Sequence, residues 1–404
     1  MIKTENVSGL RRGYTTGSCA AAASLAAASL LLLGEHMEQV SILTPKGIRL
    51  MLAVEDEESG DGWARCAVRK SAGDDPDITD GILVYACVSL TPDGKKKQGE
   101  ARLWYSEPMS GEGPTLYLRG GEGIGRVTRE GLSCPAGMWA INPVPRRMIF
   151  EQVAEVCRQA GGSAFRRIDA VWITLEIPEG RQLAEKTFNP RLGIVGGLSV
   201  LGTSGIVEPM SEPALLETIR LEIHQKALEG EENLLLIPGN YGERFLEKGL
   251  ALPIERAVKC SNYIGAALDM ASAEGMKSVL LVGHAGKLIK LAAGIMNTHS
   301  RVADGRMECL AAYGAACGAS GEIVRQILDC ITVDEALGLL EQEEGLLGRT
   351  MERIVQQIWG VLERRTAGKL QAEAVLFTND RGLLGMTKGA GERIAWFRKE
   401  GLNE

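Results

Sequence analysis

Val279–Arg301 reads VLLVGHAGKLIKLAAGIMNTHSR. An apolar run, Val279–Val282, meets the turn Gly283-His284-Ala285-Gly286-Lys287. A helical pattern follows, with Leu288, Leu291 and Ile295 on one face. Asn297-Thr298-His299-Ser300-Arg301 then sets five hydrogen-bonding side chains in a row, and two of the chain's four histidines lie in this stretch. A buried strand that feeds a glycine-rich turn and a helix is how α/β folds present backbone N–H groups and a helix dipole to a ligand.

Outward from that stretch, short apolar runs alternate with helical patterns. Leu192–Val195, Leu234–Ile237, Ser278–Val282 and Ala374–Phe377 read as strands. Helices are predicted near 211–229, 260–274, 286–296, 306–317, 321–330 and 345–365. The alternation predicts a mostly parallel sheet covered on both faces, a Rossmann-like three-layer α/β domain over 186–404.

The first half differs. Strand-like runs at 40–44, 47–55, 63–70 and 82–90 are separated by turn clusters such as Thr44-Pro45-Lys46-Gly47, Asp74-Asp75-Pro76-Asp77 and Pro92-Asp93-Gly94. A helix follows Pro143–Pro145 to about Ala160, and another strand spans Ala170–Ile177. This pattern predicts an α+β domain over 1–185. Arg11-Arg12 ahead of the apolar run Ala20–Leu33 superficially resembles an export signal. The run falls short of the about 20 residues that span a bilayer, no small-x-small site follows it, and N-cap types precede it, so it reads as a buried Ala-rich helix.

Composition narrows the function. A net charge of −7 and the lack of a basic block interleaved with aromatics argue against nucleic acid as partner. Nine cysteines without a C-x-x-C pair fit reduced thiols in a cytoplasmic protein better than a disulfide framework or a zinc site. Cys19, on the Ala-rich helix, reads as a buried thiol rather than a nucleophile. His284 and His299 have no third ligand at metal spacing, so no metal is expected to be held by the protein. His36 and His224 read as packed or solvated.

Several segments carry ligand-binding chemistry beside a structural alternative. Thr15, Thr16, Gly17 and Ser18 either cap the Ala-rich helix or leave its first N–H groups to an anion. Gly121, Gly123 and Gly125, in GGEGIG, either bring backbone amides to a ligand or simply make turns. Gly202-Thr203-Ser204-Gly205 has the make-up of an anion nest, and Thr187, Asn189 and Arg191 bracket a proline that stiffens the same loop. Gly239, Asn240 and Gly242 follow a strand end, and Lys259 opens a further capping cluster.

GYTTGSCAAAA (13–23), GGEGIGRVTREGL (120–132), KTFNPRLGIVGGLSVLGTSGIVEPMSE (186–212), GNYGERF (239–245), KCSNYIGAALDMA (259–271) and VGHAGKLIKLAAGIMNTHSRVADGR (282–306) together resemble the cobalt-precorrin-5B C(1)-methyltransferase family of oxygen-independent cobalamin synthesis. The final hundred residues carry weaker family signals. The resemblance implies S-adenosylmethionine as methyl donor and a polyanionic tetrapyrrole as acceptor, with cobalt present only as part of that substrate. It further implies a cytoplasmic enzyme with no membrane partner, and the partner expectations extend to a homodimer and to transient contacts with neighbouring pathway enzymes.

Under that resemblance the donor is expected at Gly239, Asn240, Gly242, Gly283, Gly286 and Lys287. The tetrapyrrole is expected at Arg12, Thr15–Ser18, Gly121, Gly123, Gly125, Asn189, Arg191, Gly202–Gly205, Lys259, Asn297, Ser300 and Arg301. The site is expected in a cleft between the two domains. His284 and His299 are the expected catalytic residues, handling a proton or holding a ring carboxylate. Carbon methylation from a sulfonium needs positioning and water exclusion more than a covalent nucleophile. A nucleotide-dependent kinase-like enzyme, motivated by GGEGIG and GHAGK, lacks the phosphate-loop spacing. A non-catalytic tetrapyrrole carrier is the third reading.

Overall fold

Alanine dominates Thr16–Leu33 because this helix has neighbours on all sides. Alanine is the best helix former and costs no side-chain entropy, and small residues let other elements come close. Thr15 caps the start, its hydroxyl accepting from the Ser18 N–H at 3.2 Å, and Gly34 at φ 70° ends the helix in the left-handed conformation. The computed structural model describes residues 9–92, 103–109, 113–161 and 168–400. The expected turn at Asp93-Gly94 lies outside the described residues.

The helix is longer than the sequence suggested. At 18 residues it passes the length and hydropathy test for a membrane span, yet only Leu25 and Leu31–Leu33 escape full burial. It packs against the helix Pro143–Gln159 and against the strands Trp63–Arg69 and Leu83–Ser89. Gly17 permits the helix contact, since a Cβ there would stand 2.7 Å from Pro145 Cγ.

The chain divides into the units Met1–Glu212 and Pro213–Glu404. The first is built on a six-stranded sheet in the order Glu55–Gly60, Trp63–Arg69, Leu83–Ser89, Ala170–Glu176, Thr115–Gly120, Tyr105–Pro108. Ala170–Glu176 and Thr115–Gly120 run parallel, and the other neighbours are antiparallel. The expected strand at 47–55 is two. Arg49–Ala53 pairs with Gln39–Leu43 in a separate hairpin, while Glu55 opens the edge strand of the larger sheet. The mixture of antiparallel strands and few helices is the α+β arrangement expected.

The boundary falls later than the sequence suggested. Residues 186–212 were expected to open the second domain, but their backbone groups pair with the first unit. Ile194–Val195 runs antiparallel to Arg126–Val127, and Ile206–Val207 runs antiparallel to Gly13–Tyr14. Leu198 and Val200 bridge to Ile124 and Ile141. Leu192–Val195 is thus no member of the parallel sheet. A glycine-rich stretch with little side-chain volume satisfies its amides on the nearest backbone, here the 120–141 loops.

The second unit carries a five-stranded sheet in the order Ala257–Lys259, Asn233–Ile237, Ser278–His284, Gln371–Thr378, Gly382–Met386. The first three pairings are parallel and the last is antiparallel. Numbered along the chain, the spatial order is 2-1-3-4-5, unlike the 3-2-1-4-5-6 order of dinucleotide-binding sheets. Alternate residues enter two cores. Leu235, Ile237, Leu280, Val282 and Phe377 pack with Leu246, Leu250 and Phe397, whereas Leu234, Leu236, Val279, Leu281 and Leu376 pack with Ile264, Leu310 and Ile354. Burial on both faces explains why these strands read as unbroken apolar runs. Among the helices that escaped the sequence reading are Val333–Leu340, Ala390–Glu400 and the short Asn240–Phe245.

Candidate functional site

The direction of the sheet reverses between Asn233–Ile237 and Ser278–His284, because their next strands lie on opposite sides. Ligands of open α/β sheets bind outside the carboxyl ends of the strands at such a switch point. Gly239, Asn240, Gly283, Gly286 and Lys287 all stand at those two strand ends. Gly239 faces room, since a Cβ there would meet nothing nearer than Lys287 Nζ at 3.6 Å, while one on Gly286 would press on His284 Nδ1 at 3.2 Å. Two others are needed for packing. A Cβ on Gly283 would stand 2.8 Å from Pro238, and one on Gly242 would stand 3.0 Å from Ile237.

His284 is the last residue of its strand and the cap of the short helix Ala285–Leu288. Its Nδ1 accepts from the Gly286 N–H at 3.1 Å. Burial lowers its pKa below 6.5. A neutral ring whose Nδ1 accepts must carry its proton on Nε2, the tautomer assigned here from the hydrogen-bond network. His284 therefore offers a donor, and its one lone pair is already in use. Tyr241, 66% exposed, lies 5.8 Å from the His284 ring, and Phe377 meets that ring edge-on at 5.6 Å.

Lys287 was expected to touch the donor. Its ammonium instead donates to the Pro238 carbonyl and, at 3.5 Å, to the Ser261 carbonyl. It ties together three loops at the carboxyl edge, and burial lowers its pKa. Lys259 was expected on the tetrapyrrole. It pairs with Glu243 at 2.7 Å and reaches Asn240 Oδ1 at 3.4 Å, which places it beside the strand end at Asn240.

The segment of Asn297, His299, Ser300 and Arg301 is fastened to the same edge. Tyr263 bridges to Asn297, and the Thr298 N–H donates to Asn262 O at 2.9 Å. Lys290, a residue the sequence reading did not single out, is 3% exposed. It donates to Thr298 O at 3.1 Å and Ala303 O at 2.9 Å. Its placement at i+3 from Lys287 was the available signal. His299, Ser300 and Arg301 are exposed, and His299 Nδ1 accepts from the Arg301 N–H at 3.1 Å.

In the first unit, several of the amides expected to face an anion are spent internally. Gly17 N donates to Leu201 O at 3.0 Å, Cys19 N to Thr15 O at 3.1 Å and Thr15 N to Gly205 O at 3.2 Å. Ser18 Oγ donates to Gly205 O at 2.7 Å. Thr16 Oγ1 takes the Leu201 N–H at 3.0 Å, and Gly202 is packed so closely that a Cβ would lie 2.1 Å from Thr15 Oγ1. Thr15–Ser18 and Gly202–Gly205 thus form one backbone junction that caps the buried helix. Thr203 is exposed, and Ser204 bonds Ile206 within its own turn. Arg12 pairs with Glu208 at 3.6 Å. Asn189 is buried and holds its own loop through Gly197 O at 3.4 Å and Ser199 Oγ at 3.3 Å; Arg191 is half-buried. Cys19 is fully buried, its thiol pushed up to about 12 by that burial, so it is no nucleophile at neutral pH.

The GGEGIG loop is likewise a close backbone crossing. Gly121 N donates to Leu175 O at 2.7 Å and Gly125 N to Leu198 O at 2.9 Å. Those two amides therefore do not serve a ligand. A cavity of about 680 Å³ nevertheless opens beside the loop, with Gly121, Gly123 and Arg126 on its wall.

Residues 3–209 match the family described as CbiD, and residues 297–388 match the family described as CbiD, C-terminal domain. A cobalt-precorrin-5B C(1)-methyltransferase of Ruminiclostridium cellulolyticum is 47% identical over 92% of this chain and 89% of its own length. Proteins of the same name from Thermoanaerobacter sp. and Alkaliphilus metalliredigens are 43% and 40% identical over 96% and 98% of this chain, covering 97% of each relative. A crystal structure of a cobalamin biosynthesis protein (cbiD) from Archaeoglobus fulgidus is 27% identical, covers 72% of this chain and 83% of that one, and superposes with a TM-score of 0.35. Matches of this identity along nearly the whole length place the chain in the CbiD family.

Proposed function

We propose that this protein methylates C-1 of cobalt-precorrin-5B with S-adenosylmethionine, giving cobalt-precorrin-6A in cobalamin biosynthesis. The observation that carries the reading is the shared name of relatives 38–47% identical along nearly the whole chain. The switch point of the second unit supports the donor side. Its parallel strands, with apolar cores on both faces, support a Rossmann-like three-layer reading of that unit in a 2-1-3-4-5 strand order.

The strand-end residues fit an adenosyl donor. Gly239 leaves open backbone, Tyr241 offers an exposed aromatic face, and His284 Nε2–H and the Asn240 amide offer hydrogen bonds. When bound, S-adenosylmethionine supplies a sulfonium-activated methyl group whose S–C bond breaks as the C-1–methyl bond forms with the ring's enamine electrons. Lys287 and Lys290 act one step back. Each ammonium holds loop carbonyls in place, so the edge is formed before any ligand arrives and little ordering remains to be done. His284 donates a hydrogen bond and gives up no proton to the reaction. His299, exposed beside Ser300 and Arg301, is the remaining candidate for a proton or a ring carboxylate.

The test incubates purified protein with S-adenosylmethionine and cobalt-precorrin-5B and reads product mass. The expected result is the gain of one methyl group, with S-adenosylhomocysteine formed in equal amount. Intact substrate with both reactants present refutes the reading. Titration with S-adenosylhomocysteine locates the donor site, since His284→Ala should weaken it and Thr203→Ala should not.

A further inference from the structure

The cavity beside GGEGIG is built in a way that donor binding does not require. Arg126 and Arg181 stand on its wall, against one acidic neighbour, Glu122. No ion pair joins either guanidinium to a described carboxylate, so both charges remain uncompensated on the wall of the cavity in a chain whose net charge is −7. Arg126 is held over an aromatic ring. Its Cζ lies 4.3 Å from the centre of the Trp139 ring, and its backbone is fixed between Val195 and Trp139. A guanidinium packed over a ring has lost part of its rotamer freedom before binding, and its fork of donors suits a carboxylate.

Trp139 is itself locked. Gly120 makes room for it, since a Cβ there would lie 2.6 Å from the indole, and Tyr105 Oη donates to its carbonyl at 2.6 Å. Its Nε1 is buried with no hydrogen-bond partner. The guanidinium of Arg126, the second cation Arg181 and the Trp139 ring are thus gathered around one concavity.

We infer that this cavity is the seat of a carboxylate arm of the tetrapyrrole, held by Arg126 and Arg181, with Val195 and the Trp139 indole lining the apolar side of the adjoining pyrrole. The inference rests on the methyltransferase reading for the identity of its ligand. It accounts for the GGEGIG segment in another way than amide donation: the glycines let the backbone cross tightly, and the crossing sets out Arg126 and Trp139.

Binding of uroporphyrin, a polycarboxylated tetrapyrrole, tests it without S-adenosylmethionine or turnover. In the full chain, Arg181→Met should weaken uroporphyrin about tenfold, the loss of one charged hydrogen-bonded contact. Arg126→Met should weaken it at least as much, while Arg126→Lys keeps the charge but loses the fork and should fall between. Glu122→Gln should tighten binding, an effect that unfolding cannot imitate. Arg158→Met, at an exposed pair with Glu155 on the helix Pro143–Gln159, should change nothing. Unchanged affinity in Arg181→Met and Glu122→Gln overturns the inference even if the protein methylates its substrate. Arginine-dependent porphyrin binding in a protein that fails to methylate would leave the cavity assigned and the methyltransferase reading refuted.

Discussion

Gly123→Ala should destabilise the first unit through packing alone. Gly123 sits at φ 70°, and a Cβ there would lie 1.7 Å from the Ile177 carbonyl oxygen. No side chain can rotate out of that clash, because the obstacle is backbone on both sides: Gly180 and Gly197 also approach Gly123 O to within 2.2 Å of where their own Cβ would stand. The left-handed conformation costs a non-glycine residue about 1–2 kcal/mol. Forcing the strand ends apart adds about 1–3 kcal/mol, the usual range for overpacking. The sum is about 2–5 kcal/mol, which for a unit of this size lowers the melting midpoint by about 4–20 °C. Gly81→Ala is the matched control, with φ 79° and nothing within 4 Å of the added Cβ. It carries only the backbone cost, about 1–2 kcal/mol. Thermal unfolding followed by tryptophan fluorescence compares the two. Equal midpoints would refute the close-crossing reading and return Gly123 to the role of a ligand-facing glycine.

His284→Asn should retain more donor affinity than His284→Ala, because asparagine still caps Gly286 N–H and still offers an amide donor. Calorimetry with S-adenosylhomocysteine ranks them, and equal losses would show that His284 contributes something an amide cannot. Because burial lowers the His284 pKa, the unfolded chain binds the proton more readily below about pH 6.5, so this residue's contribution to stability is complete above that pH and declines as pH falls. The Asn variant should flatten the slope of stability between pH 7 and 5. Lys290→Met should strip the Thr298 and Ala303 carbonyls, one buried and one partly buried, of their donor, costing about 2–4 kcal/mol. Amide exchange in 298–304 should then speed up beyond the rest of the second unit, and unchanged protection there would contradict the strut.

Much of the second unit was legible because its signals are local. Leu234–Ile237 and Ser278–Val282 are unbroken apolar runs, and the helices between them carry plain periodicity. The strand-end residues Gly239, Asn240, Gly286 and His284 followed from that pattern, since parallel strands must turn at glycine or capping residues. Helix Val333–Leu340 was hidden by its shortness, and Ala390–Glu400 by its many charges. The strands Tyr105–Pro108 and Thr115–Gly120 were not singled out, because pairing across long sequence separation leaves little local trace.

Family, fold class and the list of chemistry-bearing segments were set by the sequence by itself, because motif order, hydrophobic period and turn residues are properties of neighbours along the chain. Tertiary structure alone decided what each polar group is spent on. Thr15–Ser18 and Gly202–Gly205, alike in composition to anion nests, close on each other across 185 residues, as the Thr16–Leu201 hydrogen bonds show. Lys287 and Lys290 turn inward to carbonyls, while Arg126 and Arg181 pair with no carboxylate among the described residues. A donor's partner is whichever acceptor the fold brings within about 3 Å, and that distance is not written in the order of residues.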